Sequence, residues 1–148
     1  MNYDEWEQQV PQDMKGDPLW QVEVYRLGLF IADLGWHDVT KLINDKRTRG
    51  FATLLSRALG NISAHIAASY SSRMREERAR LYDMALSAIR EARDWYYKGR
   101  HVLGEAVTWH RVTLLTQMIH LLQAGVRGPQ SAVNRETLEA LLRNVIMG

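Results

Sequence analysis

Cysteine is absent from this chain of 148 residues, and proline is scarce, with only three residues. The lack of cysteine excludes disulfides, thiolate metal sites and thiol nucleophiles, and it is consistent with a reducing compartment. Pro11, Pro18 and Pro129 all lie outside the long periodic segments, so none of them needs to break a helix. No apolar run approaches the roughly 18 residues of a membrane span, and the acidic N-terminus is unlike a targeting signal. We therefore expect a cytoplasmic, bacterial-type protein without a membrane partner.

Strict alternation of apolar and polar residues is also missing over any useful length, so no β-sheet is predicted. Four segments instead place apolar residues three and four positions apart, as on one face of a helix. They predict an all-α fold, an up-and-down antiparallel four-helix bundle over residues 18–125. The predicted inward positions are Trp20, Val24, Leu27, Ile31 and Leu34; Phe51, Leu54 or Leu55, Ala58, Ile62, Ile66 and Tyr70; Leu81, Tyr82, Ala85, Ala88, Ile89, Ala92, Trp95 and Tyr96; and Trp109, Val112, Leu115, Ile119 and Leu122.

Capping residues and glycines predict the limits of these helices. Asp17 caps the first helix, with Pro18 at its opening position, and Gly35 ends it. Asp38 then caps a short, weaker helix. Gly99 and Gly104 bracket the connection to the fourth long helix, for which Gly125 is the expected C-terminal stop, before the Gly128-Pro129 break.

Two terminal segments flank the predicted bundle. Residues 1–17 are polar and acidic and predict a mobile arm, with at most one turn of helix around Trp6 and Val10. Residues 126–148 form a C-terminal extension that carries a short amphipathic helix capped by Asn134. The small residues of the second long helix, by contrast, favour the close approach of another helix. They are Ala58, Gly60, Ser63, Ala64, Ala67 and Ala68.

The net charge of +2 is unevenly distributed. Residues 1–24 hold six carboxylates against Lys15, a balance of −5, so the rest of the chain carries +7. A basic body with an acidic arm is compatible with nucleic-acid binding that the arm regulates. It is also compatible with an ordinary solvated surface.

Arginines are frequent on the third helix but do not share one face. Arg75 and Arg93 coincide at 100° per residue, as do Arg80 and Lys98, whereas the others scatter. Salt bridges four residues apart, Glu76–Arg80, Arg90–Asp94 and Asp94–Lys98, favour a solvated face. In a closed ring of identical subunits, however, each arginine would be repeated, and modest patches would add to one field for phosphate.

Better candidates for phosphate binding precede the second long helix. Lys46, Arg47 and Arg49, followed by Arg57, are opposed by Asp45 alone, and the entrance of a helix offers backbone N–H groups to an anion. The complete set of predicted nucleic-acid-binding residues is Lys46, Arg47, Arg49, Arg57, Arg75 and Arg93.

Neither a metal site, nor a cofactor, nor an enzyme is predicted. The five histidines lack the i,i+4 and Glu-x-x-His spacings of helical metal sites, although His101 and Glu105 share a face. His65 is expected to make a hydrogen-bonded contact between helices. No nucleophile elbow, phosphate loop or dinucleotide fingerprint occurs. Trp6 and Trp36 fall off the predicted core faces, which is typical either of an interface anchor or of a half-buried loop residue.

Three stretches carry a resemblance to a known family: Leu19-Trp20-Gln21, residues 57–70 (RALGNISAHIAASY) and residues 81–96 (LYDMALSAIREARDWY). Over residues 17–125 the chain resembles the four-helix-bundle proteins encoded within intervening sequences of bacterial 23S rRNA genes. Four positions of the family's pattern differ here while the apolar frame is kept: its Pro falls on Ser63, its Asn on His65, its Glu on Ala68 and its Gly on Ser69. The chain is therefore similar to a divergent member, or to the related branch that includes accessory proteins of diversity-generating retroelements.

The resemblance implies a homo-oligomeric bundle, a pentamer, with no enzymatic activity. Its related branch implies binding to nucleic acid and to a reverse transcriptase. Two hypotheses follow for this chain. In the first it is an oligomeric nucleic-acid-binding or ribonucleoprotein accessory factor that contacts the RNA or DNA backbone. In the alternative it is a structural module that binds a polypeptide, such as a reverse transcriptase.

Overall fold

A computed structural model describes residues 1–127 and 132–148 of the chain. Within these residues the fold is all-helical, as predicted, and contains no strand. No helix in the described parts is both long enough and apolar enough to cross a bilayer. The helices are α1 (Tyr3–Gln8), α2 (Gln12–Lys15), a 3-10 helix (Pro18–Gln21), α3 (Glu23–Ile43), α4 (Arg49–Ser71), α5 (Arg75–Lys98), α6 (Arg100–Leu103), α7 (Glu105–Arg127) and α8 (Arg135–Arg143).

The four long helices pack mainly antiparallel to their neighbours along the chain. The most extensive contacts join α4 to α3 and to α5; α7 packs on α5 and more sparsely on α3. Their apolar stripes meet in one core, as amphipathic helices require. Tyr70 was predicted to be buried and is 49% exposed, because the α4 face ends on Ser69, whose hydroxyl donates to the Arg78 carbonyl at 3.0 Å. The fully buried large side chains include Leu27, Phe30, Ile31, Leu34, Leu42, Leu55, Leu59, Ile62, Ile66, Ile89 and Tyr96.

Helix α3 does not end at Gly35, contrary to the prediction. It continues to Ile43, so the short helix predicted after Asp38 is the second half of α3. Gly35 lies against Leu59 of α4, where a Cβ would collide with the Leu59 side chain. Gly28 is similarly close to Ile62, at 3.2 Å from an added Cβ. These glycines lie at helix–helix contacts, where the absence of a side chain lets two backbones approach.

Small residues of α4 divide between the core and the solvent. Ala58 and Ser63 are buried, whereas Gly60, Ala64 and Ala68 are exposed. The predicted close approach therefore uses only part of the small-residue face, and the α3 glycines supply the rest.

The N-terminal segment packs on the core and is not a mobile arm. The Asn2 side chain caps α1 in a box with Glu5, and Trp6 is only 5% exposed. Its Nε1 donates to Asp33 Oδ2 at 2.7 Å, and its ring stacks on Trp20 with centroids 6.3 Å apart. Asp17 is a cap, accepting from the Leu19 N–H, but of a 3-10 helix. The first long helix, α3, begins only at Glu23 and not at Pro18 as predicted. The sequence placed Trp6 off the core because α1 is too short to show a helical period.

The C-terminal helix also packs back on the rest of the molecule. Asn134 caps α8 by accepting from the Thr137 N–H, as predicted, and Leu138 and Leu141 are buried. Arg135 donates two hydrogen bonds to Glu23 of α3, both at 2.7 Å. Helix α8 contacts α1 and α7, so the two ends of the chain meet.

The predicted stop of α7 at Gly125 is wrong, because this helix extends to Arg127. The Gly128-Pro129 break lies outside the described residues. The connection bracketed by Gly99 and Gly104 is confirmed, and it contains α6. Gly104 has a φ of 88°, a conformation that glycine adopts without strain.

Candidate functional site

The predicted cations of the α3–α4 connection lie at the same end of the molecule as the connection between α5 and α7. Two contacts establish this. The Phe51 ring in the first turn of α4 stacks on Trp95 of α5, with centroids 5.2 Å apart, and the Leu42 side chain of α3 lies 3.0 Å from an added Cβ at Gly99. Lys98 and Arg100, which the sequence analysis did not select, flank Gly99. We call the set Lys46, Arg47, Arg49, Lys98 and Arg100 the cationic end.

Carboxylates compensate two of these five charges. Arg47 forms a bidentate pair with Asp45, at 2.9 and 3.1 Å, and these hydrogen bonds lower the pKa of Asp45 to about 2. Lys98 pairs with Asp94 at 2.7 Å, a predicted pair. Arg49 Nε donates instead to the uncharged Ile43 carbonyl at 2.9 Å, and Lys46 is exposed. The surplus positive charge therefore resides on Lys46, Arg49 and Arg100, beside Glu105.

The entrance of α4 offers fewer free donors than the sequence predicted. The N–H of Arg49 donates to the Asp45 carbonyl at 3.0 Å, and that of Phe51 donates to the Thr48 carbonyl at 3.2 Å. A turn thus uses two of the N–H groups that were expected to face an anion. An anion at this surface would therefore be bound by charged side chains and not by the backbone N–H groups of the helix end.

Aromatic rings alternate with the cations at this end. The Arg100 guanidinium lies 4.1 Å from the centroid of Tyr97, and the Lys98 ammonium lies 4.7 Å from that of Trp95. Such cation–π contacts hold a charged group beside an exposed aromatic face.

An open groove lies next to the Tyr97–Arg100 contact, and both residues form part of its lining. It has a volume of about 670 Å³ and is lined by Tyr97, Arg100, Glu105, Ala106, Thr108, Trp109, Val112 and Ile146. Trp109 is 60% exposed, so its predicted inward position is wrong. The buried face of α7 instead includes Val107, His110 and Leu114. We call this surface the Trp109 groove.

The remaining predicted site residues lie apart from the cationic end. Arg75 begins α5 at the opposite end of α4, and the 23 residues of α4 span roughly 35 Å. Arg93 donates to Thr116 Oγ1 of α7 at 3.1 Å, so it takes part in helix packing. Arg57 is exposed two turns into α4. The structure thus groups Lys46, Arg47 and Arg49 and separates them from Arg75 and Arg93.

Only part of the predicted salt-bridge pattern on α5 is present. Arg80 pairs with Glu77, three residues earlier, and not with Glu76. Among the described residues no ion pair joins Arg90 to Asp94. The solvated-face interpretation therefore holds for two cations of this helix, Arg80 and Lys98.

A buried polar network, which was not predicted from the sequence, crosses the core. Arg111 of α7 is fully buried, with its Nε donating to Asp38 Oδ2 at 2.7 Å. The Tyr96 hydroxyl donates to the same carboxylate oxygen at 2.6 Å, and burial raises the pKa of this phenol so that it keeps its proton. Asp38 thus joins α3 to α5 and α7. Because solvent does not reach Arg111, the network supports the fold and not a ligand.

The sequence did hold a signal for this network. Asp38 lies four residues after Leu34, and Arg111 lies four after Val107 and four before Leu115, so each continues an apolar stripe. A charged residue in register with a core stripe indicates a buried partner, since an unpaired charge is too costly to bury.

His110 extends the network to the C-terminal segment. Arg111 Nη1 donates to His110 Nδ1 at 2.8 Å, because a guanidinium cannot accept, which leaves the protonated Nε2 to donate to the Leu141 carbonyl at 2.8 Å. Burial, foremost, and the positive charge of Arg111 lower the pKa of His110 below its ordinary 6.5. The neutral imidazole therefore helps to hold α8 on α7.

We expect the free energy of unfolding to fall as the pH drops below about 6.5, by at most about 1.4 kcal/mol per pH unit from this residue. The unfolded chain takes up the proton first because its imidazole has the higher pKa, so the stabilisation present above that pKa is lost at lower pH. Urea unfolding between about pH 7.5 and about pH 5.5 measures the effect. The matched control is His110→Gln, which keeps an amide donor. If the free energies of unfolding of the two proteins differ by the same amount at every pH in this range, His110 is not the source of the pH dependence.

Within residues 1–127 and 132–148, no group of three histidine and acidic side chains converges to hold a metal ion. Comparisons with protein-family models, with curated proteins and with solved structures find no match to this chain. The resemblance to the intervening-sequence proteins therefore rests on Leu19-Trp20-Gln21, residues 57–70 and residues 81–96 alone.

Proposed function

We propose that this chain is a non-enzymatic nucleic-acid-binding factor that contacts RNA or DNA through its cationic end. The observation that supports it is the meeting of two connections, distant in sequence, that together carry five cations. Phosphate contacts of this kind supply affinity without reading bases. The exposed Tyr97 ring beside these cations favours a nucleic acid over a simple anion, because a base offers a flat face to such a ring.

The architecture proposed for this role is an up-and-down bundle of α3, α4, α5 and α7. The packing of α4 on α3 and α5, and of α7 on α5, supports it, and α1 and α8 would cover the sparse contact between α3 and α7. The assembly proposed is the homo-oligomer, a pentamer, that the family resemblance implies. A ring would repeat the cationic end in every subunit and so strengthen its field. Light scattering tests the proposed assembly. A measured mass of 17.1 kDa, that of a single chain, would mean that the cationic end is not repeated in a ring.

We expect Lys46→Glu/Arg49→Glu to weaken the binding of a fluorescein-labelled single-stranded oligonucleotide and to lower its salt dependence. If each side chain contacts one phosphate, the slope of log affinity against log salt falls by about 1.4, at about 0.7 per contact. Titrations between about 50 and 200 mM salt measure it. These two residues are chosen because no carboxylate pairs with them among the described residues, unlike Arg47.

The matched control is Arg73→Glu/Arg75→Glu, which changes the net charge equally at the opposite end of the molecule. An equal loss of binding in both variants would mean that net charge alone is responsible. If the unmodified protein binds no RNA or DNA at low salt, the proposed function is wrong.

A second candidate function, a module that binds a polypeptide, is favoured by Trp36. This side chain is 77% exposed on α3, away from the predicted core stripe, and exposed tryptophans are enriched at binding hot spots. A partner protein would be expected to lose affinity for Trp36→Ala and to keep it for the cationic-end variant.

A further inference from the structure

We infer that the Trp109 groove receives an unpaired base, so that the proposed function is directed at single-stranded nucleic acid. This inference rests on the proposed binding through the cationic end. It adds the class of nucleic acid and the residues that select it.

The groove offers stacking faces of the kind that bases need. Trp109 on α7 and Tyr97 at the end of α5 are both more than half exposed, at 60% and 57%. Arg100 lies over the Tyr97 ring, and its planar guanidinium is itself a surface on which bases stack. A base placed between these groups would exchange water on its faces for flat contacts, which are tolerant of sequence.

The polar lining is suited to the edge of a base. Thr108 is only 7% exposed, and its Oγ1 has no hydrogen-bond partner among the described residues. A buried hydroxyl without a partner is costly, and a ligand would satisfy this one once rotation of the Thr108 side chain brings its oxygen to the groove surface. Glu105, the one carboxylate in the lining, can accept from an exocyclic amino group of a base, although it would repel a phosphate.

The cations beside the groove would attract the phosphates of a bound nucleic acid, so its sugar-phosphate backbone would lie outside the groove. Arg100 is part of both the groove and the cationic end, and Lys98, two residues earlier in the chain, lies over Trp95. A strand whose base enters the groove therefore has cations beside its phosphates. A duplex keeps its bases stacked on one another and cannot place one against Trp109, so this arrangement favours a single strand.

The test compares fluorescein-labelled single-stranded oligonucleotides of DNA and RNA with the corresponding duplexes, by fluorescence anisotropy. The protein should bind the single strands more tightly, and Trp109→Ala should lose about 5- to 150-fold in affinity for them, the range of one stacked base. For Trp109→Ala the slope of log affinity against log salt concentration should equal that of the unmodified protein, because no phosphate contact is removed. Trp109→Phe should regain most of the affinity, since it restores an aromatic face.

Trp36→Ala is the matched control, as it removes an even more exposed tryptophan from another surface. Salt-dependent binding that is unaffected in Trp109→Ala, or equal affinity for single strands and duplexes, would overturn the inference and leave the proposed function standing. No binding of any oligonucleotide at low salt would overturn both. If Trp109→Ala binds oligonucleotides as tightly as the unmodified protein but forms an assembly of different mass in light scattering, a second copy of the chain, and not a base, covers the groove.

Discussion

Replacing Arg111 with methionine is expected to lower the free energy of unfolding by about 3–5 kcal/mol, the usual result of removing one partner from a buried ion pair. The loss arises because the Asp38 carboxyl group, only 2% exposed, would be left buried without the guanidinium that compensates it. Methionine has a similar length and no charge, so packing contributes little to the change. Urea unfolding followed by circular dichroism gives the free energy.

Two comparisons separate this mechanism from a general effect of the substitution. Arg135→Met removes an arginine whose side chain is 57% exposed and paired with Glu23, and it should cost no more than about 1 kcal/mol. The double variant Asp38→Leu/Arg111→Met removes both charges and should recover part of the loss, although the Tyr96 hydroxyl and His110 Nδ1 then lose their partners. A loss below about 1 kcal/mol for Arg111→Met would contradict a dry ion pair.

Replacing Trp6 with alanine is expected to cost up to about 3–5 kcal/mol, the range for deleting a buried aromatic side chain. Trp6 packs among Tyr3, Trp20 and Phe30, and its indole N–H bonds Asp33. Because α1 is a six-residue helix outside the four long ones, its detachment limits the loss of stability: once α1 is released, the remaining helices no longer depend on it. Hydrogen exchange of the amides of residues 3–8 should therefore increase more than that of α4.

The control for Trp6 is again Trp36→Ala, whose exposed side chain should change the stability by about 0.5 kcal/mol or less. If Trp6→Ala leaves both the stability and the exchange of residues 3–8 unchanged, α1 does not pack on the core in solution. That result would restore the mobile arm that the acidic composition of residues 1–17 predicts.

The long helices were predictable because burial repeats many times along each of them. A stripe such as Leu27, Ile31 and Leu34 is consistent over several turns, so local sequence identifies both the helix and its inward face. The same argument failed for short elements and single positions. Helix α1 has too few residues to show a period, and Gly35 was interpreted as a helix end although it is a contact point for Leu59.

The candidate site was only partly predictable from sequence. Lys46, Arg47 and Arg49 are adjacent along the chain, and their cluster is therefore visible in the sequence. Lys98 and Arg100 join them only because α5 returns to the same end of the molecule. Whether a cation is compensated also depends on geometry: Asp45 pairs with Arg47, while Arg93 is drawn into packing with Thr116.

The sequence alone determined the helical class, most of the inward positions of the long helices and the cap at Asn134, because each depends on residues within a few turns of one another. Only the tertiary structure decided that the two ends of the chain pack together, that Asp38 and Arg111 meet in the core, and that Trp109 faces solvent beside Tyr97. These features join residues tens of positions apart. Their partners are set by how the helices pack, and local periodicity does not contain that information.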